Sequence, residues 1–323
     1  MAIAPTNTYS GLTGLAEDFQ DTIFDISPDE TPLISMAKKL KANATLHQWQ
    51  TDTLAAAASN RQQEGFDATY LTAAPTTVNS NYCQISSKFV KISATADAVR
   101  KYGRKSEMAY QLVKRGKELR LDMEFAAIRN QASSAGGTGA ARSSAGLESW
   151  IGGNRILAKL GGATNTTGTT PGFASGTVVA PTDGTQATFI ESDLQSALQA
   201  AWTDGGDPTV ILMSSTNKQR FSAFAGIATK YNEVKGKSQA MVIAAADVYV
   251  SDYGNHMVKL SRQCRDQAVL CIDPDYVGIA TLRPMQKQEL AKIGDSTNFQ
   301  IVCEWTLVVQ NSNAHAKVQD VGL

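Results

Sequence analysis

A long polar stretch between residues 42 and 102, which runs directly into a highly charged helix, most constrains how this chain folds. Its side chains alternate as in a β-ribbon. The two predicted arms carry Leu46, Gln48, Gln50, Thr51 and Thr53 on one side, and Cys83, Ile85, Ser87, Phe89 and Lys91 on the other. Residues 60–77 between the arms are too polar for a core and too many for a hairpin turn. A compact domain rarely keeps so long a surface segment unless another molecule holds it in place. The pattern therefore predicts contact with a partner subunit.

The charged helix is predicted from residue 106 to about residue 131, a length of roughly 40 Å. Apolar side chains fall on two nearly opposite sides of it: Met108, Leu112, Leu119, Met123 and Ala126, and then Tyr110, Leu121, Phe125 and Ile128. A helix that is apolar on two sides is predicted to be sandwiched between other elements. Its charged flanks indicate either a solvated face or ion pairs between subunits. They carry Lys114, Arg115, Lys117, Glu118, Arg120, Asp122 and Glu124.

The first forty residues are predicted to form an arm that lies over another surface, because their apolar residues are scattered. Pro28 and Pro32 block a continuous helix. Thr31 followed by Pro32 is typical of a helix start, and we expect a short helix that continues through Leu40.

The remaining chain mixes helices and strands without regular alternation, which indicates an α+β fold. Residues 136–184 are rich in Gly, Thr, Ser and Ala, and predict a surface excursion with a short helix in the apolar segment 147–160. Two later helices are predicted over residues 189–202 and after a cap at Ser215. Strands are predicted over residues 209–213, 248–251, 256–260, 268–272, 277–282 and 299–309.

Charge and composition exclude several classes of protein. Thirty basic and thirty acidic residues balance to zero, so no overall field favours nucleic acid. Residues 1–14 lack the basic and apolar segments of a secretory signal, and no run approaches about 18 apolar residues. The four cysteines show no paired spacing and are expected to be reduced thiols in the core or in strands. We expect a soluble protein that is made inside the cell and does not contact a membrane.

Motifs for catalysis, cofactors or metals are incomplete. Gly236-Lys237-Ser238 ends like a phosphate-binding loop, but Tyr231 stands where the first glycine is required. The three histidines are far apart in the sequence, and no Gly-x-Ser-x-Gly elbow is present. Asp273 and Asp275 are better explained by a turn than by acid/base catalysis. We therefore expect no enzyme, no cofactor and no metal site.

Short sequence words along the whole chain resemble those of one known family. They are SPDETPL from Ser27, HQWQTD from His47, EGFD from Glu64, GRKSEMAYQ from Gly103, GIAT from Gly226, DPDY from Asp273 and ELAK from Glu289. Together with the order of arm, extended loop, long helix, mixed lobe and final long strand, they resemble the major capsid proteins of tailed bacteriophages. That fold is commonly named after phage Hong Kong 97. No single word is diagnostic, and the resemblance rests on their order.

The resemblance implies a division of the chain. It places an N-terminal arm at residues 1–44, an extended loop at 45–88, a peripheral domain with the spine helix and the Gly/Thr-rich insertion at 89–184, an axial domain at 185–266, and a return to the peripheral domain at 267–323. It implies hexamers and pentamers that tile an icosahedral shell around packaged double-stranded DNA, assembled in the cytoplasm of a bacterial host. Separate scaffold, decoration and portal proteins are then candidate partners.

Two departures from some relatives bear on assembly. Only about forty residues precede the ribbon, so a separate scaffold, or none, is expected in place of an N-terminal scaffolding domain. Residues 51–87 contain no lysine, so a covalent cross-link from a loop lysine to a neighbour's asparagine is not expected. Shell strength would then come from noncovalent overlap.

Contacts between subunits are predicted at two places. At the loop tip, Phe66 and Tyr70 are expected to supply apolar anchoring. The charged residues Arg61, Glu64 and Asp67 are expected to pair across subunits and to add little each. In the arm, three apolar residues are expected to pack on a neighbouring subunit: Phe19, Ile23 and Phe24.

Two alternatives remain at this point. A tail-tube or decoration subunit would also be polar and oligomeric, but it should be mostly β and needs no two-sided helix. An enzyme whose site is assembled from distant residues would need a pocket with convergent polar groups.

Overall fold

A computed structural model describes residues 30–68, 70, 72–73, 75–160, 163–164, 169–224, 248–292 and 294–322. Within them the chain forms six α-helices and sixteen strands. The helices are α1 (Pro32–Met36), α2 (Ala94–Ala98), α3 (Glu107–Ile128), α4 (Leu147–Trp150), α5 (Glu191–Thr203) and α6 (Ser215–Ser222). No helix in these ranges is long and apolar enough to cross a membrane.

A four-stranded sheet carries the long helix α3. Its strands are β1 (Lys38–Lys41), β14 (Val277–Leu290), β15 (Ser296–Val309) and β4 (Gln84–Ser93), in that order. Strands β14 and β15 form a long antiparallel pair, β1 joins β14 in parallel, and β4 joins β15 antiparallel. Helix α3 packs against β4 and β15.

A six-stranded sheet forms the second lobe. Its order is β11 (Val248–Ser251), β12 (Gly254–Leu260), β10 (Val210–Met213), β13 (Ala268–Ile272), β16 (Ala316–Gln319) and β5 (Arg155–Leu157). Helix α5 packs on β16 and β5. Strands β10 and β13 are buried along their whole length, since both are apolar runs at the centre of the sheet.

Three two-stranded ribbons complete the strands. They are β2 (Leu46–Thr51) with β3 (Thr77–Tyr82), β6 (Lys159–Leu160) with β7 (Ala163–Thr164), and β8 (Gly172–Ala174) with β9 (Thr177–Val179). Helices and sheets are segregated rather than alternating, which confirms the predicted α+β class.

Two large clusters of buried apolar side chains form the core. One joins α1, the second half of α3, α4, the long strands β14 and β15 and part of the six-stranded sheet at β10 and β13, with Trp305 fully buried in it. The other lies between the six-stranded sheet and helices α5 and α6. All four cysteines are free thiols in the interior, as predicted.

The predicted pairing within the long ribbon is wrong in one arm. Strand β2 pairs with residues 77–82, from Leu46↔Tyr82 to Thr51↔Thr77, and not with residues 83–91. The latter belong to β4, which pairs with β15 from Trp305↔Gln84 to Ser296↔Ser93. Both segments show the alternating pattern of a strand. The chain passes from the ribbon into the four-stranded sheet at Asn81 and Cys83, which are both buried.

The first predicted helix also ends earlier than expected. Helix α1 stops at Met36, and Lys38–Lys41 forms a strand instead of continuing to Leu40 as helix. Parallel pairing of β1 with residues 278–281 supplies the backbone hydrogen bonds that a longer helix would have made internally. Helix α6 is capped by Ser214 rather than Ser215.

The insertion at residues 136–184 is less superficial than predicted. All four residues of α4 are buried. Gly146 precedes them where the chain passes the end of α3, and a Cβ there would meet the Arg129 carbonyl oxygen at 1.9 Å. A side chain at this position would separate α4 from α3.

Candidate inter-subunit surfaces

The loop between β2 and β3 lies on the surface along its entire described length. Every described residue from 52 to 78 is exposed. Phe66 is 55% exposed and Tyr70 is 92% exposed. Arg61, Glu64 and Asp67 are exposed with them. The structure therefore brings all five predicted tip residues onto one uncovered loop.

Hydrogen bonds at the tip stay within the loop. Arg61 Nε donates to Ser59 Oγ at 3.3 Å, and the Phe66 N–H donates to the Gln63 carbonyl at 3.1 Å. The chain turns at Glu64 and Gly65, where Gly65 has a φ of 79° that other residues rarely adopt. The tip is shaped locally, by hydrogen bonds between residues of the loop itself.

The base of the ribbon, in contrast, is fixed by a buried amide. Asn81 is completely buried, its Nδ2 donates to the Leu307 carbonyl at 2.7 Å, and its Oδ1 accepts from the Ala145 N–H at 2.9 Å. One side chain thus joins the ribbon to the central strand β15 and to the start of α4.

Aromatic rings hold the face of the ribbon against the insertion. Trp49 in β2 lies 5.3 Å from Trp150 between ring centroids, and Trp150 stacks on Phe173 at 5.9 Å with planes 4° apart. Ser80 Oγ also donates to the Gly176 carbonyl at 3.3 Å. We call Trp150, Phe173 and Gly176 of the insertion the bracket. Their contacts with Trp49 and Ser80 set the direction in which the loop leaves the molecule.

The predicted sandwich of α3 between other elements holds only in its second half, where six residues from Leu119 to Ile128 are buried and the helix contacts α1, α4 and the strands β4 and β15. No residue of α3 before Leu119 is buried, while Val113 is 63% exposed and Phe125 is 44% exposed. Ser106 caps the helix, with its Oγ accepting from the Ala109 N–H. The first half of α3 is an open surface of the chain.

Some charges on the flanks of α3 are paired inside the chain. Glu124 is fully buried and accepts the N–H groups of Leu33 at 2.7 Å and Ile34 at 2.8 Å. These are first-turn donors of α1, which have no partner within their own helix. Burial raises the pKa of Glu124, although both N–H groups favour its charged form. Asp122 pairs with Lys88 at 2.6 Å.

The arm residues Phe19, Ile23 and Phe24 lie outside the described residues. Helix α1, however, fixes the place where the arm joins the body. Leu33 is completely buried in the cluster with α3, and the bonds from Leu33 and Ile34 to Glu124 hold this junction to the helix.

Two further buried charges link distant segments. Glu304 lies between Arg142, whose Nη2 is 2.5 Å from Oε1, and Arg283, whose Nε donates to Oε2 at 2.8 Å. Lys317 is completely buried, and its Nζ donates to the Glu148 carbonyl at 2.6 Å. Burial lowers the pKa of Lys317 to about 7. These contacts connect distant secondary elements of the chain.

Metal-binding groups and reactive thiols were sought in the described ranges. No group of three or more His, Cys, Asp or Glu in these ranges is arranged to hold a metal. Burial raises the pKa of the Cys264 and Cys271 thiols to about 12, so neither supplies a thiolate near neutral pH. Asp273 caps a short 3-10 turn at Pro274–Tyr276, as the turn interpretation predicts.

Sequence reasoning missed the residues that position the loop. Asn81 sits in a polar strand that resembles its neighbours, and its partners are 64 and 226 residues away. Trp49 and Trp150 are large aromatic residues in polar stretches of sequence, which indicates that each packs against other residues. The sequence does not indicate that the two rings contact each other.

Comparisons with known proteins complete this description. The model of the SU10 major capsid protein family matches residues 4–322. The major capsid protein of Escherichia phage Phieco32 is 41% identical over 115 residues, which are 35% of this chain and 33% of that protein. The match thus spans about a third of the length of this curated relative.

Solved structures are similar over nearly the whole chain. The capsid of an empty GTA particle has a TM-score of 0.60 at 12% identity, and covers 95% of this chain and 96% of its own. Phage G, a structure of gp27 major capsid proteins and gp26 decoration proteins, has a TM-score of 0.55 at 8% identity over 100% of both chains. At such identities the likeness shows the fold, and it confirms the predicted capsid-type fold.

Proposed function

Since this chain belongs to the SU10 major capsid protein family, we propose that it builds an icosahedral phage shell of hexamers and pentamers, closed by its loop tip and N-terminal arm. The resemblance found in the sequence is confirmed by the family match along residues 4–322. The shell encloses double-stranded DNA, and the mature chain resides in the virion after assembly in the bacterial cytoplasm.

The observation that carries this proposal is the contrast between the two ends of the ribbon. Its base is fixed by the fully buried Asn81, whereas Tyr70 at its tip is 92% exposed. A rigid base with an exposed aromatic tip is arranged to contact another molecule. Repetition of the same chain around closed symmetry multiplies each modest contact over the shell.

Roles at the tip follow from the side chains. Phe66 and Tyr70 supply the apolar area that a neighbouring subunit covers, and aromatic anchors dominate such contacts. Arg61, Glu64 and Asp67 pair across the subunit boundary and fix orientation more than affinity. In the arm, Phe19, Ile23 and Phe24 pack on a neighbouring subunit.

Catalysis forms no part of the proposal. The pKa values of the Cys83 and Cys303 thiols are raised to about 11, chiefly by burial, so these groups are weak nucleophiles. A tail-tube subunit is disfavoured by the 22-residue helix α3 and by the family match. Separate scaffold, decoration and portal proteins are the expected partners, and the phage G structure contains decoration proteins together with major capsid proteins.

Deletion of residues 61–70 tests the role of the tip. The shortened chain should fold, because the hydrogen bonds of Arg61, Gln62 and Phe66 described at the tip stay within the loop. Closed particles should fall by at least about tenfold, since the lost contact recurs at every subunit. Negative-stain electron microscopy counts the particles, and circular dichroism checks the fold.

A matched pair of variants sharpens this test at the same tip. Phe66→Ala with Tyr70→Ala removes the two anchors, and Gln62→Ala with Gln63→Ala changes two exposed polar neighbours. The first pair should reproduce the deletion and the second should assemble normally. Normal particles from both the deletion and the aromatic pair would refute the proposal.

A further inference from the structure

The charges of this chain are unevenly distributed along it. Residues 1–30 carry six acidic side chains and no lysine or arginine, so the remainder has a formal charge of +6, from thirty basic and twenty-four acidic residues. Residues 88–120 alone hold ten of the thirty basic side chains and only three acidic ones. The balanced total therefore conceals an acidic arm and a basic segment, and these attract each other in any assembly.

The basic segment borders a groove on the open half of α3. The groove has a volume of about 780 Å³ and runs between β4, the α2–α3 connection and the first two turns of α3. Its apolar lining includes Val90, Ile92, Phe89 and Val99, the last two being 62% and 58% exposed.

Cations stand around this apolar floor. They are Lys91, Lys101, Arg104 and Arg115. The acidic lining residue is Glu107, which pairs with Arg104. Lys101 donates to the Asp97 carbonyl at 3.2 Å, and Arg115 lies 2.5 Å from Glu118. Lys101 also lies 4.0 Å from the Asp97 carboxylate, so three of the four cations pair within the chain. Because ion pairs at exposed positions contribute little each, these cations can exchange their partners for acidic side chains of a docked segment at small cost. The groove thus suits a segment that is both apolar and acidic.

The arm contains one segment of that composition. Leu15, Phe19 and Ile23 recur at every fourth position, and acidic residues stand between them and after them. Those acids are Glu17, Asp18, Asp21 and Asp25.

We propose that the groove between β4 and α3 receives residues 15–26 of a neighbouring subunit, with the apolar side chains on the floor and the acids toward the four cations. This assignment rests on the proposed function, in which the arm packs on a neighbouring subunit. It adds which surface of that subunit receives the arm. Burial of Phe89 and Val99 supplies the affinity, while the exposed charge pairs set orientation.

Other occupants fit the groove less well. DNA phosphates would be attracted to the cations, but they contribute no apolar surface to cover Phe89 and Val99. The loop tip offers one cation, Arg61, with Glu64 and Asp67, and so complements a four-cation rim less than the arm does.

Cysteine cross-linking between singly substituted chains tests the assignment. Chains with Thr22→Cys are co-assembled with chains that carry Val99→Cys and are oxidised, so that a disulfide-linked dimer reports only a contact between subunits. The four native thiols are buried and do not compete. The control partner is Val250→Cys, because Val250 on β11 is 59% exposed and lies outside the groove.

The groove assignment predicts dimers with Val99→Cys at several times the Val250→Cys level. Equal yields, or a higher yield when Gln62→Cys at the loop tip replaces Thr22→Cys, would overturn it. Lys101→Glu with Arg115→Glu should lower the cross-link. A different result would assign the groove to DNA. In that case the double charge variant lowers the amount of nuclease-protected DNA, and chains without the charge changes give Thr22→Cys–Val99→Cys dimers only at the control yield.

A truncation separates this inference from the function on which it rests. If removal of residues 1–24 leaves assembly unchanged, the arm contact itself is wrong. If the truncation impairs assembly while the Val99 cross-link stays at the control level, only the groove assignment fails.

Discussion

At the residue scale, Asn81 shows how one buried amide fixes the starting point of the exposed loop. Its replacement by Ala leaves the Leu307 carbonyl and the Ala145 N–H buried without their partner. We expect Asn81→Ala to lower the free energy of unfolding by about 2–3 kcal/mol, the usual cost of such unpaired groups. Urea unfolding of the unassembled chain measures it.

Asn79→Ala is the matched control for that change. Asn79 lies two residues earlier in the same strand, is half-buried, and donates to Thr51 Oγ1 at 3.3 Å. Its loss should cost less than about 1 kcal/mol, because the groups it leaves are partly open to water. Equal losses for both variants would show that Asn81 is an ordinary ribbon residue.

His315 links stability to pH. Its Nδ1 accepts the Asp273 N–H at 3.1 Å, and burial lowers its pKa from 6.5 to about 4. Between those values the unfolded chain binds more protons, so stability falls as the pH decreases from 6.5 to 4. The full loss is on the order of 3 kcal/mol.

The variant His315→Asn isolates this contribution. The Asn side-chain oxygen keeps an acceptor for the Asp273 N–H, but the group no longer titrates. Urea unfolding across pH 4–6.5 should give a smaller pH slope for the variant than for the unchanged chain. Identical slopes would show that another group controls acid stability.

At the element scale, the bracket formed by the insertion gives the loop its direction. Trp150 lies between Trp49 on the ribbon and Phe173 on β8. We expect Phe173→Ala to leave a folded chain whose particles vary in size, because a loosened bracket lets the loop leave at several angles. Electron microscopy measures the distribution of diameters.

Trp202→Ala serves as the control for the bracket. Trp202 is 59% exposed on α5 and lies 5.7 Å from Tyr253 between ring centroids, so it makes an aromatic contact of similar distance elsewhere. Particles of this variant should keep one size. Broadening in the control, or none in Phe173→Ala, would contradict the role of the bracket.

Elements with one strong local signal were predictable from sequence. Strand β13 was expected at its observed residues, since Ala268–Ile272 is an apolar run that precedes a turn at Asp273. The exposed distal half of β14, from Arg283 to Leu290, was missed because it lacks the apolar alternation of a half-buried strand. Its fold depends on pairing with β15, which local pattern does not reveal.

The candidate site was predictable only in part, for a similar reason. The tip residues could be named because their polar, aromatic-bearing loop is visible in the sequence. The role of Asn81 in fixing the base of the ribbon could not, since one of its bonding partners lies 226 positions away. The sequence shows that residues 1–30 are acidic and residues 88–120 are basic. It does not show the groove that the basic segment borders.

At the scale of the whole molecule, the buried clusters carry an extended loop whose described tip belongs to none of them. If the loop tip and the groove make the contacts proposed above, folding and assembly depend on different residues of the chain. Variants at the tip and in the groove should therefore change particle yield, whereas variants at Asn81 and His315 should change the stability of the single chain.

Cryo-electron microscopy of particles formed by the purified full-length chain tests the central claim most directly. We predict closed shells with five- and six-fold clusters, in which Phe66 and Tyr70 of each subunit contact the neighbouring subunit. Closed shells whose loop tips remain exposed to solvent, or a uniform small oligomer without rings at every concentration, would contradict the account.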